Sequence, residues 1–487
     1  MGKRTPAVIN QAEERQRLLE SVKRSVAKNP YLSIAFGLYW MQTTLLFQSP
    51  YLFLEASPLV GFPLPKGTML LVASVATYLT WSILYKRINS MSIKRWFPFA
   101  LGIGLSLGAL LFTCYPAFTE THHDIAVIVY LFGSVLIGCG TANINLEASR
   151  ILGHIGPKQA LFHLVFALLI GTAGAYLFSL LPMGIGKIAI VAVPAPMVYC
   201  LMKSFDAVPR KMVYSHGLKT KVKLPTKFLV TSAFQGFALG VMHSLLVNSF
   251  ENSALLVSFG FLAAIGLVFF CSIMLKSDFD LLFYRIGFPL MAMGFFLLGI
   301  VPSTIELGAA VLDVGYCFQY LISCSLCAYL AKGLDQPPIW IVGTSTACLL
   351  LGQLLGTVLE ALSPDQTVLA VVVAFVLVLA ALYMTSSQNL KRGWGAVSPG
   401  SDHKTDSGAN ESLAIQLLAS EHGLSARETE VYSLLVKGYS RKAIGNELCL
   451  AEETIKTHTG RIYQKFIVHS KQELIVMTHE RAATLDS

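Results

Sequence analysis

Charged side chains are scarce in this chain. Asp, Glu, Lys and Arg make up 13% of its 487 residues, whereas 54% of the residues are hydrophobic; a soluble protein carries about 25% charged residues. The shortage is concentrated between Tyr31 and Ser386, while the sequence from Glu411 onward has an ordinary polar composition. The composition therefore excludes a wholly soluble protein and predicts a membrane part followed by a soluble part.

Several kinds of functional motif are also missing. The sequence has no glycine-rich phosphate-binding loop, no kinase-like motif and no nucleophile paired with a base in a suitable context. Cys324 and Cys327 have CxxC spacing, but they lie in an apolar segment, where helix packing is the favoured interpretation over redox or zinc chemistry. We therefore expect no enzyme activity, no metal site and no cofactor.

Apolar segments of about 20 residues, the length that crosses a bilayer, recur through residues 31–386. We place about twelve transmembrane helices there. Their approximate cores are 31–50, 68–86, 96–118, 125–146, 160–181, 187–203, 228–247, 254–275, 284–303, 307–331, 338–361 and 367–386.

Basic residues in the short connections predict the orientation, because Lys and Arg beside a span are retained in the cytoplasm. Residues 1–30 are polar and lack the apolar core of a signal peptide, so we expect a cytoplasmic N-terminal segment and an uncleaved first span. Alternate loops are basic throughout the predicted spans, which places both termini inside. The basic set comprises Lys86, Arg87, Lys94, Arg95, Arg150, Lys158, Lys276, Arg285 and Lys332.

The longest interior connection, about residues 203–227, divides the spans six and six. This layout resembles the major facilitator superfamily, whose two six-helix halves are joined by a long basic loop. The loop "YKRINSMSIKRW" keeps the basic residues of the family's motif but has neither its Asp nor its Gly. The resemblance is architectural and leaves transport as one alternative function.

Polar residues inside spans are costly and are candidates for lining a cavity. Gln235, His243, Asp313 and Gln319 form the predicted ligand-sensing set, with Asp313 as an unpaired acid in an apolar helix. The alternative for each is a hydrogen bond to a neighbouring helix. Glu147 and Arg150, spaced i, i+3, are predicted to form a local ion pair.

Residues 387–420 are predicted to be a flexible linker, because the stretch from Ser387 is rich in Gly, Ser, Asp and Asn. A soluble domain is predicted over residues 421–487. Ser425 and Glu428 make a capping box that begins its first helix, and Ile444 and Leu448 lie on the apolar side of a second helix.

The third helix of this domain, about Glu452 to Ile467, has an apolar side and a basic side. Ile455, Ile462 and Phe466 are predicted to face inward, while Lys456 and Arg461 point outward. The stretch 454–471 contains four basic residues and no acidic residue. Two short helices joined by a tight turn, the second of them basic, are typical of a helix-turn-helix.

The sequence "LSARETEVYSLLVKGYSRKAIGNELCLAEETIKTHTGRIYQKFIVHSKQEL" resembles the LuxR-type helix-turn-helix family along its whole length. The resemblance implies a small four-helix domain that binds promoter DNA, with its third helix in the major groove. By family position, Lys456, Thr457 and Gly460 face the bases, Arg461 and Lys465 lie near phosphates, and the last helix, about 471–482, commonly forms a homodimer. The implied DNA-binding set is Thr454, Lys456, Thr457, His458, Gly460, Arg461 and Lys465.

The predicted fold is therefore all-α: a polytopic transmembrane bundle carrying a LuxR-type domain. The predicted function is a one-component transcription regulator in the bacterial inner membrane, whose bundle contacts membrane lipid and senses either a small-molecule ligand or a membrane condition. RNA polymerase is a further expected partner. The alternatives are a transporter with an attached regulatory domain, and a bundle that acts as a passive anchor.

Overall fold

The computed structural model describes residues 24, 26–48, 67–94, 96–118, 122–155, 157–208, 210–215, 224, 226–249, 253–270, 286–300, 305–333, 336–363, 365–385, 407–436, 439, 441–448, 450, 452–468 and 471–484. Within these ranges the regular structure is helical and no strand occurs, which confirms the all-α prediction. The chain divides into two compact units, Met1–Trp394 and Gly395–Ser487.

In its described residues, the first unit is a bundle of helices at the positions of the predicted spans, together with the short helix α8. The helices are α1 (Pro30–Gln48), α2 (Thr68–Ser92), α3 (Trp96–Cys114), α4 (His123–Ile155), α5 (Pro157–Ser179), α6 (Met183–Ala192), α7 (Pro194–Asp206), α8 (Arg210–Ser215), α9 (Thr226–Ser249), α10 (Ser253–Phe269), α11 (Phe288–Ile300), α12 (Ile305–Gly333), α13 (Pro338–Leu362) and α14 (Gln366–Thr385).

The predicted sixth span is divided into two helices. It is interrupted where α6 ends and α7 begins at Pro194, because a proline has no N–H to donate and its ring clashes with the preceding turn. In the described part of the chain, seven helical segments are long and apolar enough to cross a membrane. The first unit is therefore a membrane domain, while the count of twelve spans stays a prediction.

Helix pairs of the first half of the bundle recur in the second half. Helix α1 packs on α5 as α9 packs on α13, α3 packs on α4 as α11 packs on α12, and α2 packs on α4 as α10 packs on α12. Contacts between the halves follow the same rule, since α2 packs on α13 and α5 packs on α10. The bundle is therefore built from two similar halves.

Glycines bring α9 and α13 into very close contact. Gly236 and Gly240 lie one turn apart on α9, and Gly352 and Gly356 have the same spacing on α13. A Cβ atom on any of the four would collide with the backbone of the facing helix. Such small residues allow membrane helices to approach closely. The resulting van der Waals packing stabilises their contact, because lipid provides no hydrophobic driving force between helices.

The structure describes five helices in the second unit. They are α15 (Ser407–Glu421), α16 (Ala426–Val436), α17 (Arg441–Leu448), α18 (Glu452–Phe466) and α19 (Lys471–Thr484). The predicted inward residues Ile444, Ile455, Ile462 and Phe466 are buried in one core, which also contains Val431 and Leu435 of α16. Helices α16 to α19 are the four predicted helices.

Helix α15 corrects the predicted linker. Ile415, Leu418 and Ala419 are buried in the core of the second unit, α15 packs on α19, and Glu421 forms a 2.6 Å ion pair with Arg481. The prediction of a flexible linker is therefore wrong for residues 407–420. The Ser, Gly and Asn residues at the beginning of α15 hid the i, i+3, i+4 spacing of its apolar residues, and the predicted linker residues 387–406 lie outside the described part.

Candidate DNA-binding surface and sensing residues

The predicted capping box positions the first helix of the helix-turn-helix unit. The backbone N–H of Glu428 donates to Ser425 Oγ at 3.3 Å, and the backbone N–H of Ser425 donates to Glu428 Oε2 at 2.9 Å. Arg427 on the same turn donates to the carbonyl oxygen of Leu448 at 2.9 Å, at the end of α17. A cation at a helix C-terminus satisfies a carbonyl that lacks a helical partner, so Arg427 holds the end of α17 against α16.

Helix α18 presents the predicted DNA-reading residues on one exposed face. Thr454, Lys456, Thr457, Gly460 and Arg461 are all exposed, whereas Ile455 and Ile462 on the opposite side are fully buried. The ammonium of Lys456 forms a 2.7 Å ion pair with Glu453, and both side chains are more than half exposed. Exposed pairs contribute little free energy, so this ammonium can exchange Glu453 for a base or a phosphate.

Two features of this face differ from an ordinary basic helix. A side chain at Gly460 would meet nothing within 4 Å, so the glycine leaves the backbone open to close approach. His458 is half-buried, and its Nδ1 is enclosed without a hydrogen-bond partner among the described residues. Of the predicted set, His458 therefore lies at the edge of the face.

Lys465 is bound within the domain. Its ammonium donates to Glu428 Oε2 at 2.8 Å and to the carbonyl oxygen of Gly423 at 2.7 Å. The hydrogen bond from Lys465 and the backbone N–H of Ser425 lower the pKa of the Glu428 carboxyl to about 2. These contacts connect the capping box to the last turn of α18, so the structure gives Lys465 a structural role alongside the predicted phosphate contact.

The end of α18 contains a residue that sequence reasoning missed. Ile467 has a φ of 56° and is 84% exposed. Its N–H donates to the Gln464 carbonyl at 3.3 Å, and the N–H of Val468 donates to the Tyr463 carbonyl at 3.0 Å. This is a Schellman motif, in which the left-handed position is usually glycine; α15 ends in the same way at Gly423, where φ is 61°.

Two of the predicted ligand-sensing residues, Asp313 and Gln319, are buried side chains of α12. Asp313 is buried against Gly260 and accepts from Cys317 Sγ at 3.7 Å, while its Oδ2 has no hydrogen-bond partner in the described residues. Gln319 is buried against Gly287, and its amide likewise finds no partner there. The predicted role of both residues stays a prediction.

Gln235 instead joins two helices. Its Nε2 donates to the carbonyl oxygen of Tyr316 at 3.3 Å, and its Oε1 accepts from Ser323 Oγ at 3.3 Å, so it bonds α9 to α12. The contacts of Gln235 match the alternative to ligand sensing, a hydrogen bond between neighbouring helices. His243 lies on α9, but its side chain is outside the described part of the structure.

The predicted ion pair at the end of α4 is confirmed and has a further partner. Arg150 Nε lies 3.0 Å from Glu147 Oε1, with both side chains 2% exposed. Tyr214 on α8 donates to Glu147 Oε2 at 2.6 Å, and the Arg150 guanidinium lies 4.5 Å from its ring centre. Burial, reinforced by the Glu147 carboxylate, raises the pKa of Tyr214. The connection between the two halves is thereby anchored to α4.

Comparison with known proteins identifies the second unit. Residues 422–478 match the family described as bacterial regulatory proteins, luxR family. The chain is 40% identical over 55 residues to the transcriptional regulatory protein DegU of Brevibacillus brevis, and 46% identical over 52 residues to the HTH-type transcriptional regulator MalT of Yersinia pestis (strain Pestoides F). Each match covers 11% of this chain, and 23% and 6% of those relatives.

The crystal structure of a point mutant of the nucleoside transporter NupG aligns with a TM-score of 0.43 at 14% identity, covering 75% of this chain and 100% of that one. The family match and the helical bundle together establish the domain composition. The chain carries a LuxR-family helix-turn-helix DNA-binding domain at its C-terminus, behind a helical region with membrane-span candidates.

Proposed function

We propose that this protein is a membrane-bound one-component transcription regulator, in which a signal sensed by the bundle controls DNA binding by the C-terminal domain. The observation that carries the proposal is the exposed face of α18, where Lys456 and Arg461 flank the open backbone at Gly460 in a LuxR-family domain. The protein lies in the bacterial inner membrane with both termini in the cytoplasm.

The residues of the face have distinct tasks. Lys456, Thr457 and Gly460 approach base edges in the major groove, and Thr454 and His458 lie at the margins of the contact. Arg461 neutralises a phosphate, and Lys465 adds to the positive field while holding the helix in place. The domain binds as a homodimer through α19, and RNA polymerase and membrane lipid are further partners.

Selection from a random pool of DNA duplexes tests the DNA-binding part with the full chain in lipid nanodiscs. Lys456→Ala should change the selected sequence, since a base contact is worth about 1–3 kcal/mol of discrimination. Arg461→Ala should keep the sequence but reduce the slope of log affinity against log salt by about 0.9. The charge-conserving variant Arg461→Lys serves as the control and should keep the slope.

The opposite result separates the alternatives. An intact protein that enriches no sequence would contradict the proposal and would leave a transporter with a silent domain as the leading function. Gradient-driven uptake by the reconstituted bundle would then be the measurement to make.

A further inference from the structure

A small cavity lies among helices of both halves of the bundle. Its volume is about 40 Å³, which is room for about three waters. Its lining comes from α1, α4, α9, α12 and α13. Gln235, Asp313 and Gln319, the predicted sensing residues whose side chains the structure describes, are not part of this lining, although Gln235 bonds to Ser323 of the lining.

Four buried serines line the cavity, each from a different helix. Ser149 comes from α4, Ser232 from α9, Ser323 from α12 and Ser345 from α13. Each is less than 10% exposed. Sequence reasoning missed these residues because single serines in four separate apolar segments show no pattern until the helices pack.

The hydroxyl protons of the serines are already used within the bundle. Ser232 donates to the Phe228 carbonyl at 3.0 Å, Ser345 to the Val342 carbonyl at 3.2 Å, and Ser149 to Asn145 Oδ1 at 3.4 Å. Ser323 shares its proton between the Gln319 carbonyl at 2.9 Å and Gln235 Oε1 at 3.3 Å. A hydroxyl has one proton and two lone pairs. The Cys327 thiol lies 3.4 Å from Ser345 Oγ and uses one lone pair there, so each of the four serines still offers at least one acceptor to whatever occupies the cavity.

The cavity has no charge to pair with an ion. Its lining contains no Asp, Glu, Lys, Arg or His among the described residues, and the remaining polar groups include Asn145 and the thiols of Cys324 and Cys327. An unpaired ion inside a membrane bundle is costly. The lining therefore matches an uncharged molecule that donates hydrogen bonds.

We propose that this serine-lined cavity binds a small uncharged molecule carrying hydroxyl or amide donors, and that it is the input site of the regulator. The second half of this inference rests on the proposed function, while the binding itself does not. The cavity joins helices of both halves, so an occupant that changes its size also changes how the halves pack. This would allow the bundle to respond to a molecule of that class.

The two cavity thiols provide a direct test in the full chain in nanodiscs. Methyl methanethiosulfonate is small and neutral, and its sulfonatoethyl and trimethylammonioethyl analogues carry a negative and a positive charge. Modification of each cysteine is followed by mass spectrometry. Each rate is divided by the rate at which the same reagent modifies free glutathione, which corrects for differences in reactivity among the reagents. Cys317 is the matched control, because it lies on the same helix, is fully buried and does not line the cavity.

The neutral reagent should modify Cys324 and Cys327 faster than Cys317. The charged reagents should react roughly a hundredfold more slowly than the neutral one, because a charge is disfavoured in the bundle interior by about that factor. The proposal would be overturned if the three reagents modified the cavity thiols at equal rates. It would also be overturned if the neutral reagent modified Cys317 as fast as Cys324 and Cys327.

Ligand class is tested by protection of the same thiols. Acetamide and acetone have nearly the same shape, but only acetamide donates hydrogen bonds. Acetamide should slow the modification more than acetone, and the difference should shrink in Ser149→Ala and Ser345→Ala. Protection by sodium or potassium ions, without protection by acetamide, would overturn the proposal in favour of a cation site.

Occupancy of promoter DNA before and after modification separates binding from signalling. A change in occupancy that is absent in the Cys324→Ser, Cys327→Ser variant supports the cavity as the input site. Full modification with unchanged occupancy would overturn that assignment. The occupancy of the unmodified protein tests the proposed DNA binding independently.

Discussion

The membrane bundle and the C-terminal domain are held together differently. In the bundle, glycines of α9 and α13 bring two backbones into contact, and there is no room for a methyl group. In the domain, a core of large apolar side chains such as Tyr432 and Phe466 is surrounded by ion pairs and capped helix ends. Water drives the burial of the domain core, whereas membrane helices depend on close packing. Replacing glycine by alanine should therefore lower the stability of the bundle at the contact of α9 with α13, and raise the stability of the domain at an exposed helical position.

The largest expected effect is at the contact of α9 with α13. Gly236→Ala places a Cβ against the carbonyl oxygen of Leu349, so the helices must separate, at a cost we expect to exceed about 3 kcal/mol. Thermal unfolding of the detergent-solubilised protein measures the loss. Gly104→Ala is the control, since a Cβ there meets nothing within 4 Å; equal stability of the two variants would contradict the packing account.

The next effect concerns the ion pair between Glu428 and Lys465. Because the pKa of Glu428 falls to about 2 on folding, its contribution is present above its usual pKa of 4.5 and is lost as the pH falls towards 2. Glu428→Gln should lower the free energy of unfolding by about 1–3 kcal/mol at neutral pH. We expect a value in the lower part of this range, because Lys465 is partly exposed and water weakens its ion pair. Urea unfolding of residues 395–487 between pH 2 and 7 measures it. A variant with the pH dependence of the native domain would contradict this role.

A smaller effect is expected at Ile467. Its left-handed conformation costs a residue with a side chain about 1–2 kcal/mol, and the greater freedom of glycine in the unfolded chain offsets part of the gain. Ile467→Gly should therefore raise the unfolding free energy of residues 395–487 by about 1 kcal/mol. Ile467→Ala keeps the Cβ atom, so it should give no such gain in stability. A gain of equal size in this variant would show that the exposed isoleucine side chain, and not the left-handed backbone, causes the destabilisation.

The smallest effect is expected at Gly460, within the face of α18 that we propose to read DNA. Gly460→Ala should stabilise α18 by about 0.5–1 kcal/mol, since the added methyl group meets open space. The same methyl group would lie where DNA approaches, so we expect weaker DNA binding despite the higher stability. Urea unfolding tests the expected rise in stability, and DNA titration of the same protein preparation tests the expected fall in affinity. Tighter binding would show that stability of α18, and not access to its backbone, limits affinity.

The sequence predicted the two regions to different depths. Span positions followed from apolar length, and the capping box at Ser425 and the inward residues of α16 to α18 followed from local spacing. Local spacing could not show that Lys465 binds Glu428, which lies 37 residues away. The four cavity serines were hidden for the same reason. Ile467 was missed because only a glycine would have signalled a left-handed residue.

Genome-wide DNA occupancy tests the central claim most directly. The intact protein is compared with the Lys456→Ala, Arg461→Ala variant and with the charge-conserving Lys456→Arg, Arg461→Lys variant, at equal levels in the membrane. We expect discrete peaks for the intact protein, none for the alanine variant, and weaker or redistributed peaks for the charge-conserving one. Identical peaks for the intact protein and the alanine variant would contradict the claim that the exposed face of α18 reads DNA.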